Sequence, residues 1–475
     1  MTRHCALRVL VVVLALACTL ITASPARAAV ATPTGVADRR PPPHWDERVA
    51  DLVDFVERTR GLGFKHPVPV RFLADGEFKK TVAADQGDLS RQDKADLEKQ
   101  AGLLRALGLI EVDAKKLLEQ TSAVDVAESL AFYDPDKKEV VIRGKQLDVA
   151  TRVTVVHELT HVLQDQYFDL NKLEDKAGSG AGRADALAEG DATRMEDEYL
   201  STLSEGDRAA YEQASQQQAA AAEGALPRDV PAAVELMDEA PYTLGPAFVE
   251  TIAAARGERG VDAAFRILPA SDKQILSPSA YLQGESPMPV DAPQLAAGET
   301  RLAKDDTLGA LGLYLMLAAR VDPAVALPTI DAWGGDALVE FTRGGKVCIR
   351  AAVASRDAAG AETIAAALDQ WAALAPRDSA DVERANGAVI VTACDPGQAP
   401  AEANVTAAGY VLDARASALS SEIAHGKPLD AARCVADRVP FDPELRTLAL
   451  QATATGAKID EFTTKVKSIE ATCGV

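Results

Sequence analysis

The sequence predicts a mostly helical α+β fold, with a small sheet beside one buried helix and a smaller α/β region at the C-terminus. Two strand-like runs in 130–143 flank the turn Asp134-Pro135-Asp136-Lys137, which is typical of a β-hairpin. The helical pattern of 148–166 that follows is apolar nearly all the way round, so this helix should be buried. From about residue 335 strand patterns and cysteines appear together, which indicates a distinct C-terminal region.

Apolar spacing predicts the other elements of the first three hundred residues. The segment 45–60 has helical spacing, 68–73 is typical of a strand, and 89–107 is typical of a charged amphipathic helix. The glycines of 170–182 predict a loop. Further helices are predicted at 183–203, 205–222, 243–256 and 305–320.

The C-terminal region, 335–475, is predicted to hold two hairpins with a helix between them, followed by three alanine-rich helices. Its strand patterns and the helix lie at 338–341, 347–353, 389–394 and 360–374. Cys348 and Cys394 each end a strand-like run, whereas Cys434 and Cys473 lie in helical stretches. We therefore expect this region to be stabilised by the disulfides Cys348–Cys394 and Cys434–Cys473.

Residues 1–28 have the pattern of a secretory signal peptide. Arg3 and Arg8 precede an apolar run, and Ala26-Arg27-Ala28 supplies a cleavage site. We expect a secreted or extracytoplasmic protein, and a lipid anchor through Cys18 in the cell envelope is the alternative. A flexible proline-rich leader, 29–44, and a main domain, 45–334, would follow the signal.

The composition excludes several classes of protein. Hydrophobic residues make up 47% and charged residues 25% of the 475 residues, which excludes a disordered chain and a multi-span membrane protein. The formal net charge of -21 would repel phosphate backbones, so we expect no nucleic-acid partner. No segment after the signal approaches 18 apolar residues, so we expect no stable membrane insertion once the signal is cleaved. The oligomeric state is not predicted.

The most informative segment is His157-Glu158-Leu159-Thr160-His161, within the buried helix. Residues four apart lie on one helix face, so both imidazoles can reach one ion and Glu158 lies beside them. This His-Glu-x-x-His pattern is typical of zinc hydrolases, in which three protein groups bind zinc and one position stays open. Because unpaired buried polar groups are costly, we predict a Zn²⁺ cofactor bound by His157 and His161.

A carboxylate is the predicted third zinc ligand. His44, His66 and His425 have surface or structural contexts. The downstream acids are Glu174, Asp175, Asp185, Glu189, Asp191 and Glu196. Small neighbours favour Glu189, because they would let its helix approach the histidine helix closely. Asp185, four residues earlier on the same face, is the competitor.

Two segments, 155–166 and 186–193, resemble gluzincin-type zinc metallopeptidases, and most of all a group of secreted bacterial zincin-like proteins. Three more segments are similar to this group: Phe132–Pro135, Pro241–Phe248 and Trp333–Asp336. The resemblance covers about 130–340. It implies a zincin-like metallopeptidase domain in which His157, His161 and Glu189 bind zinc and Glu158 is the general base. The chain departs from the expected Gln-x-Leu-His-Pro at Gln274-Ile-Leu-Ser277-Pro278.

This resemblance implies a secreted zinc metallopeptidase that acts on a peptide or protein substrate. Zinc would polarise the scissile carbonyl and activate a water molecule. Glu158 would accept the proton of that water and deliver it to the leaving nitrogen. The alternatives are a catalytically weak or inactive zincin-like envelope-binding protein, and a non-peptide zinc amidohydrolase.

Further roles in this chemistry need residues outside the motif. Tyr242 is the predicted catalytic oxyanion donor, with Tyr199 and His425 as alternatives. The strand 139–143 is predicted to be an edge strand that pairs with an extended substrate. Asp165 and Asp191 are candidates for orienting the second nitrogen of a ligating histidine.

Overall fold

The fold is known from a computed structural model that describes residues 41–84, 91–117, 130–177, 181–225, 231–385, 387–397, 404–452 and 457–474. The predicted signal peptide, 1–28, and most of the predicted leader lie outside these residues. Helices predominate and strands form two small sheets, which confirms the mostly helical α+β class. Every helix in this part of the chain is too short or too polar to cross a lipid bilayer.

The first sheet has three strands in the order β1-β3-β2, with β1 at Val70–Leu73, β2 at Ala131–Asp134 and β3 at Glu139–Arg143. The predicted hairpin is β2–β3, and β1 adds to it in parallel. β3 is therefore the central strand, and the prediction that 139–143 is an edge strand was wrong. Its ladder is already filled by β1, which lies almost seventy residues earlier and whose pairing no local pattern reveals.

Helices α1 to α3 belong to the N-terminal part of the chain and are α1, Ala50–Arg60; α2, Asp75–Ala84; and α3, Arg91–Leu107. The predicted buried helix is α4, Val149–Phe168. It begins where the Asp148 carboxylate accepts a hydrogen bond from the Thr151 N–H. It ends at Asp169, which has a left-handed conformation. α4 packs against α1, the β2–β3 hairpin and the following helices, so both of its long faces are covered.

Most of the segment predicted to be a loop, 170–182, is helical: Leu170–Ala177 forms helix α5, residues 178–180 lie outside the described residues, and 181–182 begin the next helix. Leu170, Leu173 and Ala177 recur at helical spacing and are buried, so the apolar stripe outweighs the glycines that follow it. Next come α6, Ala181–Thr202; α7, Glu205–Ala225; α8, Ala232–Arg256; and α9, Glu258–Arg266. Helix α8 starts eleven residues before the predicted start and continues through Pro241 and Pro246, because its first turns are buried.

Short helices lead into the C-terminal region. They are α10, Lys273–Leu276; α11, Pro278–Leu282; α12, Gly309–Ala318; α13, Pro323–Ala326; and α14, Pro328–Ala332. A second, antiparallel sheet begins with a strand before α12 and continues after α14; its strands are β4, Glu299–Arg301; β5, Gly335–Arg343; β6, Lys346–Ala354; β7, Ala380–Ala385; and β8, Ala388–Cys394. Their order is β4-β5-β6-β8-β7, and α15, Ala358–Leu374, separates the two hairpins as predicted.

Where three helices were predicted after the second sheet, the described residues form four α-helices: α16, Asn404–Ala424; α17, Leu429–Ala436; α18, Pro443–Ala452; and α19, Ala457–Cys473. Gly426, at φ 75°, and Pro428 separate α16 from α17. Both predicted disulfides are present, Cys348–Cys394 between neighbouring strands and Cys434–Cys473 between α17 and α19. Such bonds are typical of proteins from oxidising compartments.

The two largest apolar clusters of the described residues hold most of these elements together. The larger contains residues of α3, α8, α12, β5, β6 and α15, and so spans both sides of the predicted boundary at 335. The smaller joins α1 and the first sheet to α4, and it includes Met195 and Tyr199 of α6. The motif helix α4 is thus held between the first sheet and α6.

Candidate metal centre

The side chains of His157, His161 and Glu189 meet between α4 and α6. The Nε2 atoms of the two histidines are 2.9 Å apart. The Oε2 atom of Glu189 lies 3.0 Å from His157 Nε2 and 3.2 Å from His161 Nε2. All three residues are buried, at 7%, 3% and 2% exposure. Two imidazoles and one carboxylate with this convergence could hold a metal ion.

The spacing of these three atoms fits the ligand set of one small cation. Ligands of a tetrahedral zinc ion with bond lengths of about 2.0–2.1 Å would be about 3.4 Å apart. The three measured separations are only slightly shorter. Without a cation these atoms can satisfy one another only through shared protons, because imidazole nitrogens and carboxylate oxygens are good acceptors. The donor set therefore fits a divalent metal such as zinc.

The surroundings shift the pKa values of His157 and Glu189 in opposite directions. Burial lowers the pKa of His157, but together Glu196 and Glu189 raise it by more than burial lowers it. The pKa of His157 therefore lies well above its ordinary value. Burial raises the pKa of Glu189, but His161 and His157 outweigh this and hold it well below its ordinary value. The metal-free pocket thus favours an ionised Glu189 beside a protonated His157. A bound cation would replace that proton.

The second nitrogen of each histidine faces a partner that sequence reasoning missed. His161 Nδ1 lies within hydrogen-bond distance of the Gln164 side-chain oxygen, at 2.9 Å. His157 Nδ1 lies 3.4 Å from a Glu196 oxygen, which is an ion-pair contact without hydrogen-bond geometry. Such partners fix the ring orientation and tautomer of ligating histidines. The sequence spacing could have indicated both residues, since Gln164 is three residues after His161 and Glu196 is seven residues after Glu189. Both spacings return to the same helix face.

The two acids that were expected in this orienting role lie elsewhere. Asp165 accepts hydrogen bonds from the Tyr133 hydroxyl and the Lys138 ammonium group. Asp191 contacts Gln164 rather than a histidine: its Oδ2 accepts a hydrogen bond of 3.1 Å from the Gln164 amide nitrogen. It also forms a fully buried ion pair with Arg60. The expectation of direct contact was therefore wrong for both.

Glu158 lies on the adjacent face of α4, against the first sheet. Its Oε2 accepts a hydrogen bond of 2.6 Å from the Tyr133 backbone N–H of β2. Burial raises the pKa of Glu158, and the charges of His157 and His161 offset this only in part. A carboxyl group with a raised pKa exchanges a proton near neutral pH more readily than an exposed one.

Glu189 reaches the histidines because α6 is held in place by α8. Gly190 and Gly245 meet at the crossing of the two helices, where a methyl group on either would overlap the opposing backbone. The small residues around Glu189 were expected to permit close approach to the histidine helix. At Gly190 the close approach is to α8 instead, and Glu189 spans the gap to α4 with its longer side chain.

The candidate oxyanion donors lie in three different environments. The Tyr242 ring lies near that of His157, with centroids 6.3 Å apart and planes at 23°, and its side chain is 45% exposed. Tyr199 is buried and its hydroxyl accepts from Arg152 Nε at 2.9 Å. His425 lies at the exposed end of α16, where its Nδ1 contacts the Ser421 carbonyl, as its sequence context indicated. Of the three, the structure brings Tyr242 to the metal centre.

Two spaces adjoin these residues. A cavity of about 20 Å³ beside His161 and Glu189, also lined by Asp185, has room for one water molecule. Tyr242 lines a separate cleft of about 510 Å³, whose lining does not include His157, His161 or Glu189 and whose charged residues are Asp197, Glu239 and Asp413. Ser277, where a histidine was expected, is buried and donates a hydrogen bond to Asp331.

Comparison with known proteins adds no family assignment. No protein-family model matches the chain, and neither the curated proteins nor the solved structures gave a significant match. The geometry of this centre is therefore the guide to function.

Proposed function

We propose that the protein is a secreted zinc metallopeptidase that hydrolyses peptide bonds. The observation that supports this most is the convergence of His157, His161 and Glu189 beside Glu158, a buried acid on the same helix. A purely structural metal site needs no such neighbour. In structural zinc sites four protein ligands usually close the coordination shell, whereas the described residues supply three here.

The proposed division of roles follows from the positions of the side chains. His157, His161 and Glu189 would hold the metal, with Gln164 and Glu196 orienting the two rings. Zinc in such a site supplies Lewis acidity and lowers the pKa of water toward neutrality.

Glu158 is the proposed general base. Its raised pKa and its place beside the histidines suit a group that takes a proton from the attacking water and then gives it to the leaving nitrogen. The Tyr133 N–H holds its Oε2, which leaves the other oxygen for this exchange. Proton transfer of this kind contributes about 10²–10⁴ in rate.

Tyr242 is the proposed donor to the oxyanion that develops on the scissile carbonyl. It is half-exposed, its ring neighbours that of His157, and it also lines the cleft, so a peptide bound in the cleft would contact it. The acids of the cleft favour peptides with neutral or basic side chains. Export of the protein agrees with the two disulfides and with the signal-like N-terminus.

The test compares wild type with Glu158→Gln in zinc content and in digestion of a peptide library. We expect one zinc ion per chain in both proteins, and a loss of cleavage of at least about 100-fold in Glu158→Gln. The matched control is Glu198→Gln, an exposed acid on α6, which should cleave like wild type.

Each other outcome identifies one of the alternatives. Zinc without any cleavage that depends on Glu158 would indicate an envelope-binding protein with a structural ion. Hydrolysis confined to non-peptide amides, still dependent on Glu158, would indicate an amidohydrolase. A protein that binds no zinc would contradict the whole proposal.

A further inference from the structure

A second candidate site lies in a cavity of about 330 Å³ between α6, α8 and the start of α12. Its wall is mainly apolar and includes Met237, Leu244, Ile275, Leu308, Leu315 and Trp333. This volume falls at the lower end of the range of small-molecule sites, about 300–1,000 Å³. The metal-binding side chains are not part of the wall, so this space is distinct from the metal centre.

Arg183 is the cation among the residues that line this cavity. Its Nε is buried and has no hydrogen-bond partner in the described part of the chain. Burial lowers the pKa of the guanidinium, and the charges of Asp272 and Asp306 oppose this shift only in part. A buried N–H without an acceptor costs about 1–3 kcal/mol, so a ligand that supplies an acceptor recovers this free energy.

The two acids of the cavity wall are occupied by the start of α12. Asp336 accepts hydrogen bonds from the backbone N–H groups of Leu308 and Gly309, at 2.5 and 3.0 Å. Asp272 accepts from the next two N–H groups, at 3.0 and 2.9 Å. Both carboxylates therefore cap this helix, and neither forms an ion pair with Arg183 within the described structure. Ser271 and Thr307 also line the cavity, and the guanidinium is left as its charged group that can pair with a ligand.

We propose that this cavity binds a small molecule with an apolar body and one carboxylate, and that the carboxylate pairs with Arg183. The apolar wall buries the body of the ligand. The guanidinium fork suits a carboxylate better than a neutral acceptor, because charge-assisted hydrogen bonds are about twice as strong. A free organic acid and the C-terminal end of a short apolar peptide share this chemistry. This site is independent of the proposed peptidase activity.

The test is calorimetric titration of the full chain in the Glu158→Gln background, which prevents hydrolysis of peptide probes. The probes are octanoate, octanol and acetyl-glycyl-leucine. We expect octanoate to bind at least tenfold more tightly than octanol. Arg183→Gln should weaken octanoate binding at least tenfold and leave octanol binding unchanged. The matched control, Arg384→Gln on the exposed strand β7, should bind like the parent protein.

A second variant keeps the proposal testable if Arg183→Gln perturbs the fold. Ala240 lines the cavity and is buried, so Ala240→Phe should fill part of the space and abolish binding of all three probes. Tighter binding of acetyl-glycyl-leucine than of octanoate would identify a peptide end as the ligand, and the reverse would identify a free acid. Octanoate binding that is absent, or that survives both Arg183→Gln and Ala240→Phe, would overturn the proposal.

Discussion

Among the acids near the histidines, Glu189 places an oxygen within 3.2 Å of both Nε2 atoms. Asp185 lines the same small cavity but is not part of the ligand cluster. We therefore expect Glu189→Gln to lower zinc affinity by at least about 100-fold, because an amide is a much weaker ligand than a carboxylate. Zinc per chain and competition with a chromophoric chelator would measure this.

The matched control for this variant is Asp185→Asn, which removes a buried acid of the same helix and should retain zinc. If Asp185→Asn empties the site and Glu189→Gln does not, the ligand assignment is wrong. Asp191→Asn is unsuitable as a control. Its carboxylate pairs with Arg60 in the interior, so its loss would leave a buried cation poorly compensated.

Gln164 should tune the metal centre without touching the metal. Its oxygen faces His161 Nδ1, and its nitrogen donates to the Ala188 carbonyl and to Asp191. Gln164→Leu removes the acceptor and frees the His161 ring to change orientation, so we expect zinc affinity to fall by about 10–100-fold. Thr160→Val is the matched control, because it removes another buried hydrogen bond of α4 that ends on the Val156 carbonyl. Equal zinc affinity in Gln164→Leu and wild type would contradict this role.

The sequence was sufficient to predict the candidate ligands that share one helix. It was less informative about the residues that surround them. His157, Glu158 and His161 follow from a rigid four-residue spacing. Glu189 required a second helix to be positioned, and it was separable from Asp185 only by side-chain length and small neighbours. The orienting positions of Gln164 and Glu196 were missed, because a polar residue in a helix can have many partners. Gln164 faces His161 of its own helix, whereas the contact of Glu196 with His157 depends on how α6 packs against α4.

At the scale of elements, the crossing of α6 and α8 positions Glu189. Gly190→Ala would place a methyl group against the backbone of Gly245, so the two helices must separate. We expect a loss of unfolding free energy of about 2–3 kcal/mol, since overpacking forces the backbone to shift. Zinc affinity should fall as well, because the adjacent Glu189 moves with the helix. Denaturant titration and zinc binding would test both effects.

The control for the crossing is Gly206→Ala, at the exposed start of α7, where no atom closely opposes an added methyl group. It should be neutral or stabilise the protein by up to about 1 kcal/mol. If Gly190→Ala behaves like Gly206→Ala, the crossing does not position Glu189.

Elements defined by local pattern were predicted well, and elements defined by distant partners were not. The β2–β3 hairpin and α4 follow from turn residues and periodicity. The central place of β3 depends on β1, and the N-terminal half of α8 depends on packing that overcomes two prolines. Helix α5 was wrongly predicted to be a loop. The prediction relied on the glycines that follow the helix and overlooked its three buried apolar residues.

At the scale of the whole molecule, the larger apolar cluster joins the main domain to the disulfide-stabilised region. The sequence indicated a change of character near residue 335. Both disulfides and strands β5 to β8 lie from that residue onward, but strand β4 of the same sheet lies before it. The sequence could not indicate that the residues before and after 335 share one core. The apolar faces of α3 and α12 cover the second sheet, but an apolar helix face does not reveal which element it packs against. One consequence is that both faces of β5 are covered, including the position of Glu340.

Glu340 should make the stability of the molecule depend on pH. It is 5% exposed, and burial raises its pKa to about 8, with Asp306 adding to this and Lys99 opposing it. Between the ordinary pKa of 4.5 and about 8, the folded state keeps a proton that the unfolded state has lost. The free energy of unfolding should therefore fall as pH rises through this window, by up to about 1.4 kcal/mol per pH unit. Glu340→Gln should remove this pH dependence. The free energy of unfolding of the variant, relative to that of wild type, should therefore increase from pH 5 to pH 8.

Denaturant titrations of both proteins at pH 5, 6.5 and 8, under the same metal conditions, would measure this difference. The control is Glu299, whose pKa is shifted in the opposite direction. Glu299 pairs with Arg350 and Arg343, which hold its pKa at about 2, so it is ionised in both states throughout this range. Glu299→Gln should therefore destabilise the protein by a constant amount between pH 5 and pH 8. A Glu340→Gln difference that is equally constant would show that Glu340 is ionised in the folded protein.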